Sequence, residues 1–403
     1  MIRVAITGIG VISAIGKSSS EFWDSLRVGR SGIGPIQAVD CATLRFKNGA
    51  EVPDYKSTDY FDEKQAQVYD RFSEFAVIAA REAIRDSGLE LTPELKAGGS
   101  AITGACTGGQ ISEDQQFEAL YRYNRNRCHP LTIPRIMGNA GASHISMEFG
   151  LTGPGFTLST ACSSAAHAIG LAYWLVRSGS ASFAITGGSE APFSLGFLKA
   201  WEAMRVVSPT TCRPFCGDRN GMILGEGGAM MVLEPMESAQ VRGARIYAEL
   251  CGFGMSSDAS HITHPSTEGP ALAMKRALSD GNVDPSQVGY INAHGTGTDV
   301  NDPTEAAAIR EVFGTHTDRV AVSSTKSMHG HGLGAAAAME AVATVFGMQH
   351  KLLPPTANFT TLDPAIQLDV IANQPRPADV GYALSNSFAF GGLNAALVFR
   401  KVD

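Results

Sequence analysis

Short apolar, β-branched runs alternate along the whole chain with longer segments whose apolar residues recur at helical spacing. That alternation predicts an α/β architecture with buried sheets. In the first half, strands are expected at Val4–Thr7, Ser100–Thr103, Phe156–Ser159, Phe183–Thr186 and Ala229–Leu233. Helices are expected over Ser20–Val28, Arg71–Ser87, Asp114–Tyr123, Ser163–Ser178 and Leu198–Met204. The second half repeats the plan. Its strands fall at Ile246–Gly252, Val288–Asn292, Val320–Ser323, Ala383–Ser385 and Ala395–Phe399, and its helices at Gly269–Asp280, Pro303–Phe313 and Gly334–Met348. A charged helical segment, Glu234 to Arg245, separates the two, and no low-complexity linker intervenes. The chain therefore reads as two similar halves packed together, residues 1–244 and 245–403.

One junction in this pattern carries a thiol. Phe156-Thr157-Leu158-Ser159-Thr160-Ala161 has the look of a buried strand, and Cys162-Ser163-Ser164-Ala165-Ala166 opens a helix. That helix is apolar on nearly every face, from Ala165 to Val176, which predicts burial on all sides and puts Cys162 at the base of a pocket. Free backbone N–H groups and the positive end of the helix dipole favour a thiolate there. The other reading of such a residue is a small buried hydrophobe.

Composition narrows the class. The chain has 403 residues, of which 44% are hydrophobic and 18% charged, enough for a large core and unlike a disordered or membrane chain. A net charge of -7 argues against a nucleic-acid binder, which carries a basic excess. The seven cysteines are scattered and odd in number, so no disulfide framework is expected. Cys212 and Cys216 have ligand-like spacing, but no second Cys/His pair of zinc-site spacing lies near them, and no metal is expected. The N-terminus reads as a short strand and a turn, without a signal peptide. The longest apolar stretch, Gly332 to Met348, is interrupted by Glu340 and too short to span a bilayer. These features together point to a reducing, cytoplasmic setting.

Three glycine-flanked turns follow strands of the second half: Asn292-Ala293-His294-Gly295-Thr296, Lys326-Ser327-Met328-His329-Gly330-His331, and Phe388-Ala389-Phe390-Gly391-Gly392. Ligand sites in open α/β sheets gather at the carboxyl ends of strands, so these turns are placed to converge on Cys162. Each alone reads equally well as structure: a tight turn, a surface lysine, core phenylalanines.

With Thr160-Ala161-Cys162-Ser163-Ser164, these motifs make the chain resemble the β-ketoacyl-[acyl-carrier-protein] synthases of the thiolase-like superfamily, the synthase II type in particular. The resemblance runs nearly end to end, from Val4-Ala5-Ile6-Thr7-Gly8 to Asn386–Phe399. It implies a duplicated, five-layered α-β-α-β-α fold with mixed sheets. It implies a decarboxylating condensation in which Cys162 carries the acyl chain, assisted by His294, His331 and Lys326. The oxyanion donors would be the N–H groups of Cys162 and Phe390, with Phe390 also a gate. Thr107, Phe388 and Met137 would line the acyl pocket, and Glu305 and Glu340 would support the site. No bound cofactor is implied, because substrates arrive on the phosphopantetheine arm of acyl carrier protein. Arg205 matches a docking position for that acidic partner, and Arg125 and Arg127 belong to the densest basic run of the chain. A homodimer, or a heterodimer with a chain-length-factor-like subunit, is implied as well.

Several positions depart from the family pattern. His329 stands where a threonine is usual, Ala389 replaces a glycine, Leu393 replaces a threonine, and Asp299-Val300-Asn301-Asp302 differs from the common loop. Thr107 replaces a bulkier apolar residue. The runs Leu198–Arg205 and Lys326–His331 look closer to nodulation protein E and to polyene-type ketosynthases, which shifts the expected product toward a specialised acyl chain. Two rival readings are a non-decarboxylating thiolase and the catalytic half of a type II polyketide heterodimer. A thiolase needs a second catalytic cysteine, which neither Cys251 nor the cysteine-free turn Phe388–Gly392 supplies.

Overall fold

The computed structural model describes residues 1–402. The first half supplies strands β1 (Val4–Ser13), β2 (Gly99–Gly104), β3 (Gly155–Leu158), β4 (Phe183–Glu190) and β5 (Gly227–Pro235). They lie in the order β3-β2-β4-β5-β1. The pairs β1–β5 and β5–β4 are antiparallel, whereas β4–β2 and β2–β3 are parallel. The second half supplies β6 (Ala248–Ser257), β7 (Val288–Asn292), β8 (Ala321–Ser323), β9 (Tyr382–Ala389) and β10 (Leu393–Arg400). Their order is β8-β7-β9-β10-β6, and each pairing has the orientation of its counterpart. The duplication is thus complete in topology although the sequence shows no plain repeat. The two sheets meet where Val4, Ala5 and Ile6 of β1 pair with Leu250, Glu249 and Ala248 of β6.

Helices cover both faces. Against the outer face of the first sheet lie α1 (Arg71–Ser87) and α2 (Ala140–Phe149). Asp70 caps α1 by accepting the Phe72 N–H, and Gly88, left-handed at φ 60°, ends it. Between the sheets run α3 (Ser164–Arg177) and, from the second half, α6 (Ala336–Gln349). The outer face of the second sheet carries α4 (Glu268–Gly281) and α5 (Asn301–Phe313). Helix α6 is buried from Ala336 to Met348, as a helix apolar all round must be.

Small residues let the central layer close up. A Cβ at Gly188 of β4 would lie 2.7 Å from Ala165 Cβ and 2.8 Å from the Gly334 carbonyl oxygen. A Cβ at Gly104 would lie 2.3 Å from the Ala165 nitrogen, and one at Gly170 would enter the Phe253 ring.

The structure departs from the pattern-based expectation in three places. Strand β1 does not turn at Gly8 but runs on to Ser13, because Gly8 and Gly10 let the α1 carbonyls of Ala83 and Ala79 approach the strand. Strand β3 is not buried: it is the last strand of the sheet, pairs only with β2 among the described residues, and leaves Phe156 38% exposed. Helix α3 is not buried on every face either, since Trp174 near its end is 37% exposed.

Candidate active site

The chain leaves β3 and turns sharply into α3. Ala161 holds φ 51°, a conformation an L-residue keeps only when its surroundings enforce it. Here two serines do so. Ser163 Oγ lies 2.8 Å from the carbonyl oxygens of both Thr160 and Leu393, which share its one proton. Ser164 Oγ donates to the Ala161 carbonyl at 2.6 Å and accepts the Thr160 N–H at 2.9 Å. Cys162 follows the strained residue, 6% exposed, facing a cavity rather than solvent.

The electrostatics of that thiol differ from what its position suggests. Burial pushes it up to about 11, while the Lys326 charge and the amide N–H groups of Phe390 and of Cys162 itself pull the other way. Desolvation outweighs those three pulls, so the resting group is a neutral thiol. The expectation of a favoured thiolate is corrected accordingly. The two amides that do reach the sulfur are the pair expected to stabilise an oxyanion.

Two imidazoles stand opposite. One donor atom each from Cys162, His294 and His331 lie within 4.8 Å of one another, and the two rings meet edge-on at 5.5 Å. The His294 turn is fixed by Glu305, whose two carboxylate oxygens accept the N–H groups of His294 at 2.8 Å and Gly295 at 2.7 Å. Lys326 Nζ donates to the His294 carbonyl at 2.6 Å and lies 3.2 Å from His294 Nδ1. An ammonium has no lone pair to offer, so Nδ1 accepts and the His294 proton sits on Nε2. His331 reaches the same tautomer by another route, its Nδ1 accepting the Leu333 N–H at 3.1 Å. Burial first, and the Lys326 charge next, hold both imidazoles well below the usual histidine range. Both are neutral donors at physiological pH.

Lys326 is wholly buried rather than a surface lysine, and its counter-ion is the wholly buried Glu340. Burial pushes Glu340 up to about 7 against the pull of Lys326, and Glu305 likewise to about 7. His329 sits behind them. Its Nδ1 donates to the Gly330 carbonyl at 2.8 Å, its Nε2 faces Thr325 Oγ1 at 3.0 Å, and burial pushes it down to about 3.

The cavity joins residues from all the expected turns: Cys162, His294, His331, Phe388 and Phe390, with Trp201 and the loop His261–Pro265. It holds about 80 Å³. An apolar cavity of about 150 Å³ accommodates benzene, so this one admits no acyl chain as it stands. Thr107 and Met137 lie outside its lining. Thr107 Oγ1 donates to Glu190 at 3.1 Å, and Met137 packs against the apolar cluster under α1. Arg125, Arg127 and Arg205 are exposed, Arg205 at the end of the helix Leu195–Met204.

Sequence reasoning missed Glu190. It closes the back of the site, accepting the N–H groups of Cys106 at 2.6 Å and Gly334 at 3.1 Å, and burial pushes it up to about 7. An acid ending the apolar run Phe183–Glu190 was the available signal. Trp201 and the loop His261–Pro265 were also missed. They reach the site only through tertiary packing.

Fold and site together are those of a condensing acyltransferase. The chain belongs to the β-ketoacyl synthase family: residues 1–239 match the beta-ketoacyl synthase N-terminal domain and residues 247–360 its C-terminal domain. It is a ketosynthase. It is 46% identical over 400 residues to nodulation protein E of Rhizobium sp. (strain N33), covering 99% of both chains. It is 41% identical over 409 residues to the 3-oxoacyl-[acyl-carrier-protein] synthase 2 of Synechocystis, covering 99% of this chain and 98% of the relative. Among solved structures, the ishigamide ketosynthase/chain length factor superposes with a TM-score of 0.95 at 35% identity, each chain covered completely.

Proposed function

We propose that Cys162 carries the acyl chain in a decarboxylating condensation, with His294 and His331 as hydrogen-bond donors to the enolate. In loading, the Cys162 sulfur attacks an acyl thioester, and the carrier's thiol departs with the proton. The oxyanion formed in that step faces the N–H groups of Cys162 and Phe390. A malonyl thioester then loses carbon dioxide. The enolate oxygen accepts from the two Nε2–H groups, and the carbanion attacks the acyl–Cys162 carbonyl. A carbon–carbon bond forms, the carbon–sulfur bond breaks, and the thiolate takes a proton from solvent. Lys326 and Glu340 position His294 without touching substrate. The observation that carries this reading is the pairing of one thiol with two imidazoles whose Nδ1 atoms are both occupied as acceptors.

The name of the Synechocystis relative supports acyl carrier protein as the substrate's vehicle, and the exposed Arg205, Arg125 and Arg127 would be its docking charges. The likeness to nodulation protein E and the departures at Thr107 and His329 support a specialised acyl chain over a housekeeping one. The exposed edge strand β3, with Phe156 upon it, supports a dimer, with either a second copy or a chain-length-factor-like subunit. No described helix is long and apolar enough to cross a membrane, which is compatible with work in the cytoplasm.

The test is Cys162→Ala protein given acyl- and malonyl-carrier protein. No β-ketoacyl product should form, and in the native chain the acyl group should be found on the peptide containing Cys162. Product from the variant, or the acyl group on another cysteine, overturns the reading.

A further inference from the structure

The turn that carries Phe390 is held from two sides. On one side, the Gly391 N–H donates to the Ile262 carbonyl at 2.7 Å, and the Gly392 carbonyl accepts the Asp258 N–H at 2.9 Å. On the other, the Phe390 ring stacks on Trp201, with centroids 6.3 Å apart and planes 24° from parallel. Trp201 in turn meets Phe197 edge-on at 6.1 Å. Both belong to the helix Leu195–Met204, which is well anchored. Leu198 is fully buried, Asp114 accepts the Gly196 N–H at 3.0 Å, and Glu202 accepts from the Arg45 N–H and from Lys199 Nζ. One ring of the stack therefore stands on a fixed post. The other stands on two glycines at φ 84° and 69°, where the backbone turns with little steric cost.

The stack borders the space above the thiol. Trp201, Phe388 and Phe390 line the same cavity as Cys162, and its volume of about 80 Å³ leaves an acyl chain nowhere to go. A chain arriving at the sulfur has to displace the Phe390 ring, and displacing it breaks the contact with Trp201.

We propose that Trp201 is a latch: a positioning residue that sets how readily the Phe390 gate opens for acyl loading. The proposal rests on the reading of Cys162 as the acyl carrier. The Trp201 indole supplies no acid, base or nucleophile to the reaction. It acts through Phe390, by stabilising the closed turn whose N–H faces the Cys162 sulfur. A fixed indole at this point also makes the gate's resistance a property of the helix Leu195–Met204, so substitutions there tune loading without altering the catalytic groups.

The test is single-turnover acylation of the full-length chain by acyl-carrier protein, with Cys162 occupancy read by mass spectrometry. Trp201→Ala should load about 2- to 13-fold faster, the span expected from losing one aromatic pair. Trp201→Phe, which keeps a ring, should fall between. A second readout is spectroscopic. The chain has three tryptophans, and the emission difference between native and Trp201→Phe protein isolates Trp201. That difference should change on acyl loading and stay unchanged in a Phe390→Ala background. Loading of Trp201→Ala at or below the native rate overturns the latch, and so does emission indifferent to loading. If no acyl group reaches Cys162 in the native chain, the carrier reading itself fails and the latch with it.

Discussion

Replacing Lys326 by Met removes the one cation that faces Glu340, at nearly constant volume. Both side chains are fully buried; Lys326 binds Glu340 Oε1, and Oε2 has no hydrogen-bond partner among the described residues. Breaking one side of a buried ion pair typically costs about 3–5 kcal/mol. With an unfolding entropy of about 2.1 cal/mol/K per residue across 403 residues, that lowers Tm by about 4–6 °C. The loss should also depend on pH. A carboxyl raised in the folded state contributes stability below its unfolded value, and this contribution is lost as pH rises through the folded value. In the native chain the loss spans about 4.3, the unfolded value, to about 7. Without Lys326, burial pushes Glu340 further up, so the loss continues above pH 7 at about 1.4 kcal/mol per pH unit. Thermal unfolding of native and Lys326→Met proteins from pH 6 to pH 9 should therefore show a gap that widens above pH 7, by about 1.6 °C per unit. Adding Glu340→Gln to Lys326→Met should flatten it. A gap constant across that range, or one that narrows, would refute the assignment of the buried charge. The same variant should still load Cys162 but condense poorly, because His294 loses the donor that holds its tautomer.

Two further outcomes follow from the gate and the thiol. Gly391→Ala has open space, its nearest neighbour being 3.8 Å away, and so costs only the left-handed backbone, about 1–2 kcal/mol. Gly392→Ala adds a clash at 2.5 Å with Asp258 Cβ. Thermal unfolding should rank Gly392→Ala as the more damaged, and the reverse order would contradict the close approach of Gly392 to Asp258. Alkylation of Cys162 in the free chain, followed by peptide mass spectrometry, should rise about tenfold per pH unit from pH 7 to pH 10. A plateau below pH 9 would mean that the helix terminus, not burial, governs the thiol.

Much of the site was legible because its chemistry sits on glycine-flanked turns that follow strands. His294, Lys326, His331 and Phe390 lie on such turns, Cys162 lies on a strand-to-helix junction without glycine, and the resemblance to a family joined them. What the sequence concealed are consequences of packing. The direction of the Cys162 shift depends on how deeply the thiol is buried, against the pull of the Phe390 amide more than two hundred positions away. The exposure of Phe156 depends on β3 being the last strand, which no local run of apolar residues can announce. Thr107 lies outside the cavity lining with its hydroxyl on Glu190, a contact that joins the turn after β2 to the end of β4, more than eighty residues on. The duplicated topology was anticipated as alternating elements, yet the matching strand orders emerged only from the pairings.

Gly188 belongs to none of the reacting groups. It nonetheless touches two chain segments that carry them: Ala165 lies three residues beyond Cys162, and Gly334 three beyond His331. The missing side chain therefore works as a spacer of zero thickness, bringing the nucleophile's helix and the imidazole's turn into register from behind. A single methyl there would push the segment that carries Cys162 away from the one that carries His331, and so part the reactive pair.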